Sequence, residues 1–313
     1  MTDWNGQGLP PAAEARMERA RHEGAPASSL LAIAGQAGLE GCGFHVVGEV
    51  MGCIVEHIGW QGWGGCGYYP TGYGQQGGFG ILGGYGNQYP MRAPATVTSG
   101  GGAGYAGFAA YTDALYAGYD TAMLRMLTEC RALGGDGVVG VDLSVRNLGE
   151  DNREFLAYGT AVRAHGSVRP RSIFSTTLPG QDVAKLLHGG WAPVGIAVGL
   201  SIAIRHDDWA TRQQASVMAG NTEVSGYSEL VHHVRADARR QFQQRTAAYG
   251  ADGSISSSMH LDVWEREVGE NHRDHVALAS MIGTAIARFH TGSEAPTRSL
   301  LTLSLDSPRR SSR

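Results

Sequence analysis

Three blocks of this chain occur twice in the same order, and an internal repeat constrains the fold more than any local pattern, because each copy must close the same core. VVGEVMGCIVEH, from Val46, pairs with PVGIAVGLSIAI, from Pro193, keeping Gly48 in step with Gly195 and Gly52 with Gly199 at an offset of 147 (195 minus 48). YTDALYAGYDTAMLRMLTECRALGGDG, from Tyr111, pairs with YSELVHHVRADARRQFQQRTAAYGADG, from Tyr227, at an offset of 116 (227 minus 111). GTAV at Gly159 pairs with GTAI at Gly283 at an offset of 124 (283 minus 159). The changes in offset place 31 extra residues (147 minus 116) before the long middle block of the first copy, and 8 extra (124 minus 116) before the last block of the second. Both are expected to fall in connections, which absorb length at low entropic cost.

Within the repeat, Leu115, Tyr119, Ala122, Met126, Cys130 and Leu133 recur at spacings of three and four, the apolar stripe of an amphipathic helix. Val231, Val234, Ala238, Phe242 and Tyr249 repeat it. Gly134 and Gly250 suit the left-handed position that closes a helix. Val139, Val141, Leu143 and Val145 then alternate with smaller or polar residues, as on a strand with one buried face, and GEDN from Gly149 predicts a hairpin turn into Phe155–Ala164. Each copy reads as strand, long helix, hairpin. A short helix is predicted ahead of each, around Val183–Leu187 in the second copy and in AIAGQAGLEGCGF in the first. A small sheet with one helix covers one face only, so something else must bury the other, and self-association is the expected answer.

Composition narrows the setting. The 313 residues, 42% hydrophobic, suffice for two ordinary cores. A formal net charge of -4 supplies no field for a polyphosphate backbone or an anionic membrane, so nucleic acid is not an expected partner. The start MTDWNGQGLPPAAEARMERA lacks an apolar core behind basic residues, and the longest nearly apolar run, Trp191–Ile204, is short of the roughly 20 residues of a spanning helix, so no membrane span and a cytoplasmic location are expected. Cys42, Cys53, Cys66 and Cys130 form no C-x-x-C pair, which argues against a disulfide framework or zinc ribbon.

The repeated blocks resemble the YbjQ-like family, which carries a heavy-metal-binding label: a TT-x-P-G opening (Thr176, Thr177, Pro179, Gly180, weakened to Ser28–Ser29 in the first copy), a G-x-V/A-x-G first strand, helix ends at LGGDGVVGV from Leu133 and YGADG from Tyr249, and a terminal G-T-A-V. The resemblance implies an α+β chain with two copies of a small dodecin-like β-α-β-β module, each an antiparallel sheet covered by one long helix. It also implies assembly of about five chains, which two stacked rings would accommodate. The expected boundaries are a flexible N-terminal tail at 1–27, a first module at 28–166 with a Gly/Tyr-rich insert at about 59–105, a second module at 174–292, and a flexible C-terminal tail at 293–313.

The first strand carries the candidate site. Its odd positions read His45, Val47, Glu49, Met51, Cys53, Val55 and His57, where the second copy has Ala192, Val194, Ile196, Val198, Leu200, Ile202 and Ile204. Imidazole, carboxylate and thiolate are ligand types for zinc or a similar divalent ion, so His45, Glu49, Cys53 and His57 are the candidate metal ligands. Residues four apart on a strand lie about 13 Å apart, so chelation needs ligands from other strands or subunits. Otherwise Cys53 is a core residue, the histidines sit at strand ends, and Glu49 must be hydrated, paired or protonated. Cys130 reads as structural, Cys66 as an exposed thiol without a partner base, Cys42 as a turn residue, and His232–His233 as helical neighbours that do not face the same way. Asp136 and Asp252 read as turn residues. No catalytic motif in its required context emerges.

The first expectation is therefore a non-enzymatic, ring-forming scaffold or binding protein, with a protein partner engaging the Gly/Tyr-rich insert or the C-terminal tail. The alternatives are a metal-binding or metal-responsive protein using the first strand, and an enzyme with a site between subunits.

Overall fold

A computed structural model describes residues 8–21, 28–58, 98–99, 109–167, 169–269 and 272–289. The elements, in chain order, are α1 (Pro11–Arg21), α2 (Ile33–Gly41), β1 (Phe44–His57), β2 (Thr98–Ser99), α3 (Ala109–Ala132), β3 (Gly137–Gly149), β4 (Asn152–Ala164), β5 (Phe174–Ser175), α4 (Gly180–His188), β6 (Trp191–His206), α5 (Trp209–Gln214), α6 (Ser225–Ala248), β7 (Gly253–Gly269) and β8 (His272–Arg288). They form two β-α-β-β units of mixed α+β class, with strand orders β1-β4-β3-β5 and β2-β6-β8-β7. The core pairs β1–β4, β3–β4, β6–β8 and β7–β8 are antiparallel; the short β2 and β5 add in parallel.

The repeat is visible at the level of single hydrogen bonds. Asp136 Oδ2 accepts from Ala164 N at 2.9 Å, and Asp252 Oδ2 accepts from Arg288 N at 2.8 Å. Leu30 N donates to Thr160 Oγ1 at 3.0 Å, and Thr177 N to Thr284 Oγ1 at 3.1 Å. Each first strand breaks register at the same place, Val46/Gly48 and Pro193/Gly195. Both long helices have 24 residues and end at a glycine with positive φ, Gly134 at 76° and Gly250 at 66°. The GEDN turn is a two-residue hairpin with Glu150 at φ 48° and Asp151 at φ 61°, the left-handed pair that matches strand twist.

The eight extra residues of the second copy do not lie in a connection, as the sequence offsets suggested. They lengthen the hairpin: β7 and β8 have 17 residues each, where β3 and β4 have 13. A hairpin grows at its tip without disturbing the register at its base. Residues 1–27 are likewise not simply a tail, because Pro11–Arg21 is helical, Ala13 and Met17 are buried, and Arg16 forms an ion pair with Glu129 of α3. Of the insert at about 59–105, the structure describes Ile58 at its threshold and Thr98–Ser99, which pair with Arg205–His206 at the edge of the second sheet; the rest lies outside the described residues, as do Cys66 and the tail 293–313.

In each unit the long helix crosses one sheet face through a glycine. Gly52 faces the backbone of Ala122 and Met126, and Gly199 that of Ala238 and Phe242. On that face Val50, Phe155, Ala157 and Ala161 are buried under α3, and Ala203, Ala277 and Ala279 under α6 with Leu230, Val234 and Ala238. The opposite face of the second sheet is closed within the chain. Ile196, Val198, Leu200, Ile202 and Ile204, with Val276, Leu278 and Ile282, belong to the same continuous core as α3 of the first unit. Tyr116 of α3 accepts from Leu200 N at 2.8 Å, and Arg245 of α6 stacks over the Tyr116 ring at 3.9 Å and pairs with Asp120 at 3.1 Å. The two units are thus consecutive in a series of helix-on-sheet contacts. That packing differs from the two stacked rings expected from the sequence, in which each unit would meet only its own kind.

Candidate functional site

β1 carries Glu49, Cys53 and His57 on the face turned away from α3, but the register shift between Val46 and Gly48 puts His45, opposite Arg163, on the other face. The four sequence-predicted ligands therefore do not share one face, and the structure does not bring them together. His45, at the start of the strand, has a buried Nδ1 with no hydrogen-bond partner, and its ring centroid lies 5.0 Å from that of His165. Glu49 Oε2 accepts from the Tyr158 hydroxyl at 2.8 Å. Burial, and then that bond, raise the Tyr158 pKa, so the phenol stays a donor at neutral pH. Cys53 is half-buried opposite Leu156; burial, and then the Glu154 charge, push its thiol up against the opposing pull of Arg125. His57 is exposed at the far end, with Nδ1 3.3 Å from Asn152 Oδ1. Among the described residues no three His, Cys, Asp or Glu side chains converge on a point where a metal ion would sit. The donor set among the described residues of one chain therefore does not form a metal centre.

Other candidates resolve into structure. Cys130 is fully buried, its Sγ 3.5 Å from Gly137 O, and burial pushes its thiol up to about 12. Cys42, just past α2, lies 3.4 Å from His188 Nδ1, and burial raises its thiol too. A raised thiol is protonated at neutral pH and is a poor nucleophile. Asp136 and Asp252 hold backbone N–H groups of the last strands, and His232 is exposed on α6 where His233 is half-buried.

Two features escaped the sequence reading. Glu129 is buried on the inner side of α3, where its carboxylate accepts from Met51 N at 2.8 Å and pairs with Arg16. The signal was a carboxylate one position before Cys130 on an apolar stripe, and its counterpart at offset 116, Arg245, also pairs across elements. The second is a cleft of about 580 Å³ between the units, lined among others by Tyr119, Asp142, Ser144, His260, Asp262 and Ser280. Burial raises the Tyr119 hydroxyl to about 12, so it stays a protonated donor beside the cleft's carboxylates and hydroxyls. Only the packing of one unit on the other creates it, which no local motif announces.

Comparison with known proteins fits this architecture. The family model described as "Putative heavy-metal-binding" (YbjQ_1) matches residues 101–165, which span α3 and the β3–β4 hairpin of the first unit. The encapsulin nanocompartment protein Rv1762c of Mycobacterium tuberculosis is 30% identical over 285 residues, covering 88% of this chain and 91% of that protein. The chain belongs to the family of that protein. UPF0145 proteins match over shorter stretches: that of Halorubrum lacusprofundi is 43% identical over 53 residues (17% of this chain, 51% of its own), and that of Psychrobacter arcticus 40% over 55 residues (18% and 35%). No solved structure matches. The family model falls in the first unit alone, whereas the similarity to the long relative runs along 88% of this chain. Among the described residues no helix is long and apolar enough to cross a membrane.

Proposed function

We propose that the chain is a non-enzymatic, self-assembling scaffold of the cytoplasm. One observation carries the reading: the two sheets are equivalent, yet among the described residues the second has both faces covered, while the matching face of the first keeps Glu49, Met51, Cys53, Tyr158 and Leu156 half-buried and Asp142 exposed. A half-covered sheet in a repeated helix-on-sheet series calls for another copy. The relative named as an encapsulin nanocompartment protein, similar along nearly the whole chain, supports assembly as the role. Raised thiols and turn-holding aspartates give catalysis no support. An assembly of about five chains, the number implied by the YbjQ-like resemblance, belongs to this proposal, as do modules bounded near 28–166 and 174–292. Native mass spectrometry of the untagged protein tests it: an assembly of several chains is expected, and a stable monomer at micromolar concentration refutes it.

The family description favours a second reading, divalent-metal binding. Since the described residues of one chain do not form a metal centre, the reading draws its ligands from two chains. Elemental analysis of untagged, dialysed protein tests this; metal near stoichiometric, lowered by His57→Ala, would support it, and background levels would end it.

A further inference from the structure

The chain contains a worked example of the contact it leaves open at its two ends. Inside the chain, α3 of the first unit lies on the second sheet through Tyr116, Tyr119 and Met123. The same contact aligns β5 beside β3, pairing Phe174 with Gly137 and Ser175 with Val138. Both halves of this junction have counterparts that no described residue occupies. At offset 116, Tyr116, Tyr119 and Met123 become His232, Arg235 and Arg239 of α6, all three exposed. Gly137–Val138 become Gly253–Ser254 at the start of β7, an edge strand whose described pairing is with β8 alone.

The receiving surface has its counterpart as well. The covered face of the second sheet shows Ile196, Val198 and Leu200 on β6 and Leu278 and Ile282 on β8. At the equivalent positions the first sheet shows Glu49, Met51 and Cys53 on β1, Glu154 and Tyr158 on β4, and Asp142 on β3, with Arg146 opposite Glu154, Arg16 near Tyr158 and Arg125 near Cys53 as basic neighbours. α1 reaches one rim of this face, where Arg16 meets Glu129, and Asp142 and Val55 stay exposed. Apolar helix and apolar sheet thus meet within the chain, and the exposed helix face is basic where the exposed sheet face is acidic.

We propose that α6 of one copy docks on the acidic face of the first sheet of a second copy, head to tail, with Arg235 and Arg239 against Glu49, Glu154 and Asp142. This rests on the scaffold reading and gives it an interface. The contact is heterologous, so it propagates and closes into a ring when the rotation allows, with the two kinds of unit alternating around it. Differing polarity at the two junctions keeps α3 from competing for the first sheet, because seating Tyr116 and Met123 there would desolvate Glu49 without a cationic partner.

The test uses two full-length variants. Arg235→Glu/Arg239→Glu changes exposed helix positions, and its far-UV dichroism and melting temperature are expected to match the unmodified protein; Glu49→Lys/Glu154→Lys reverses the sheet face. Each alone is expected to run as a monomer in native mass spectrometry and sedimentation, and a 1:1 mixture to regain assembly with both chains present. Folded Arg235→Glu/Arg239→Glu that keeps the full native mass overturns the interface and leaves the scaffold reading standing. Unmodified protein that is itself monomeric overturns both.

Discussion

Gly52→Ala is the sharpest probe of how helix and sheet are held together. A Cβ on Gly52 would sit 2.5 Å from Met126 N and 2.9 Å from Arg125 Cβ, with the Ala122 carbonyl oxygen closer still. Ordinary contact begins at 3.4 Å, so clearing Met126 N alone requires α3 to retreat by about 0.9 Å (3.4 minus 2.5). The obstacle is helix backbone and not the end of a flexible side chain, so local repacking cannot relieve it. α3 is also fixed from its other side by Tyr116 and the second sheet, so retreat strains the junction between the units. Overpacking costs about 1–3 kcal/mol where side chains give way, and a backbone clash of this kind belongs at or above the upper end, about 3 kcal/mol. Gly41→Ala is the control: a Cβ there meets nothing within 4 Å, and its effect is expected within about 1 kcal/mol of zero or slightly stabilising. Urea unfolding followed by far-UV dichroism measures both, with the midpoint expected to fall for Gly52→Ala at an unchanged slope. A Gly52→Ala midpoint indistinguishable from that of Gly41→Ala would refute the close-approach account, and with it the equivalent role of Gly199.

Three further outcomes follow from the same geometry. Burial holds the Glu129 carboxyl above its ordinary 4.5, so the folded chain binds more protons than the unfolded one, and stability from this group falls as pH rises from about 4.5 through the folded value; Glu129→Gln should flatten that fall in denaturation curves taken between pH 4 and 8. Asp136→Ala should cost about 1–3 kcal/mol, because Asp136 is buried and holds both Ala164 N and Arg169, whereas Asp252→Ala, at an exposed position with one backbone partner, should cost about 1 kcal/mol; equal losses in urea midpoints would contradict this. Deleting residues 62–104 with a short linker removes the two-residue edge strand β2 but should leave the melting temperature and native mass close to those of the full chain, since residues 207–224 join the equivalent elements of the second unit and loop-closure cost changes only by about 0.6 kcal/mol per doubling. A collapse in melting temperature would show that the insert packs as structure.

The β-α-β-β order was legible because duplication printed it twice, and because Gly134, Gly250 and the GEDN turn mark element ends through backbone conformations that few residues adopt. Helix α1 was not legible: PAAEARMERAR has no apolar stripe, and tertiary contacts through Ala13, Met17 and the Arg16–Glu129 pair place it. The candidate ligands were legible as residue types but not as a site, nor fully as one face: the bulge between Val46 and Gly48 turns His45 to the side opposite Glu49, Cys53 and His57, and strict alternation cannot foresee a bulge. Alternation states which side a residue takes and nothing about its neighbours across the sheet, so Tyr158 beside Glu49 and Asn152 beside His57 depended on the β1–β4 register. The cleft and the Glu129–Met51 contact depend on elements 78 or more residues apart and leave no local trace.

Duplicating a module that buries its sheet under a neighbour's helix creates a problem of choice, since two equal helices would then compete for two equal faces. The chain resolves it by letting the two junctions diverge in polarity. At the internal junction Ile196, Val198 and Leu200 meet aromatic and aliphatic groups of α3, a contact that excludes water and gains from every apolar group buried. Covalent linkage already holds those partners together, so the apolar face is never presented free. A face that must wait for another copy has the opposite requirement: it has to be soluble while open. Glu49, Glu154 and Asp142 keep it hydrated, at the cost of a weaker contact once closed. On the proposed docking, this asymmetry gives the replacement of Ile196 by Glu49 in the other copy a role that does not require a metal. The same logic explains why the histidine and arginines of α6 stand where α3 carries tyrosine and methionine.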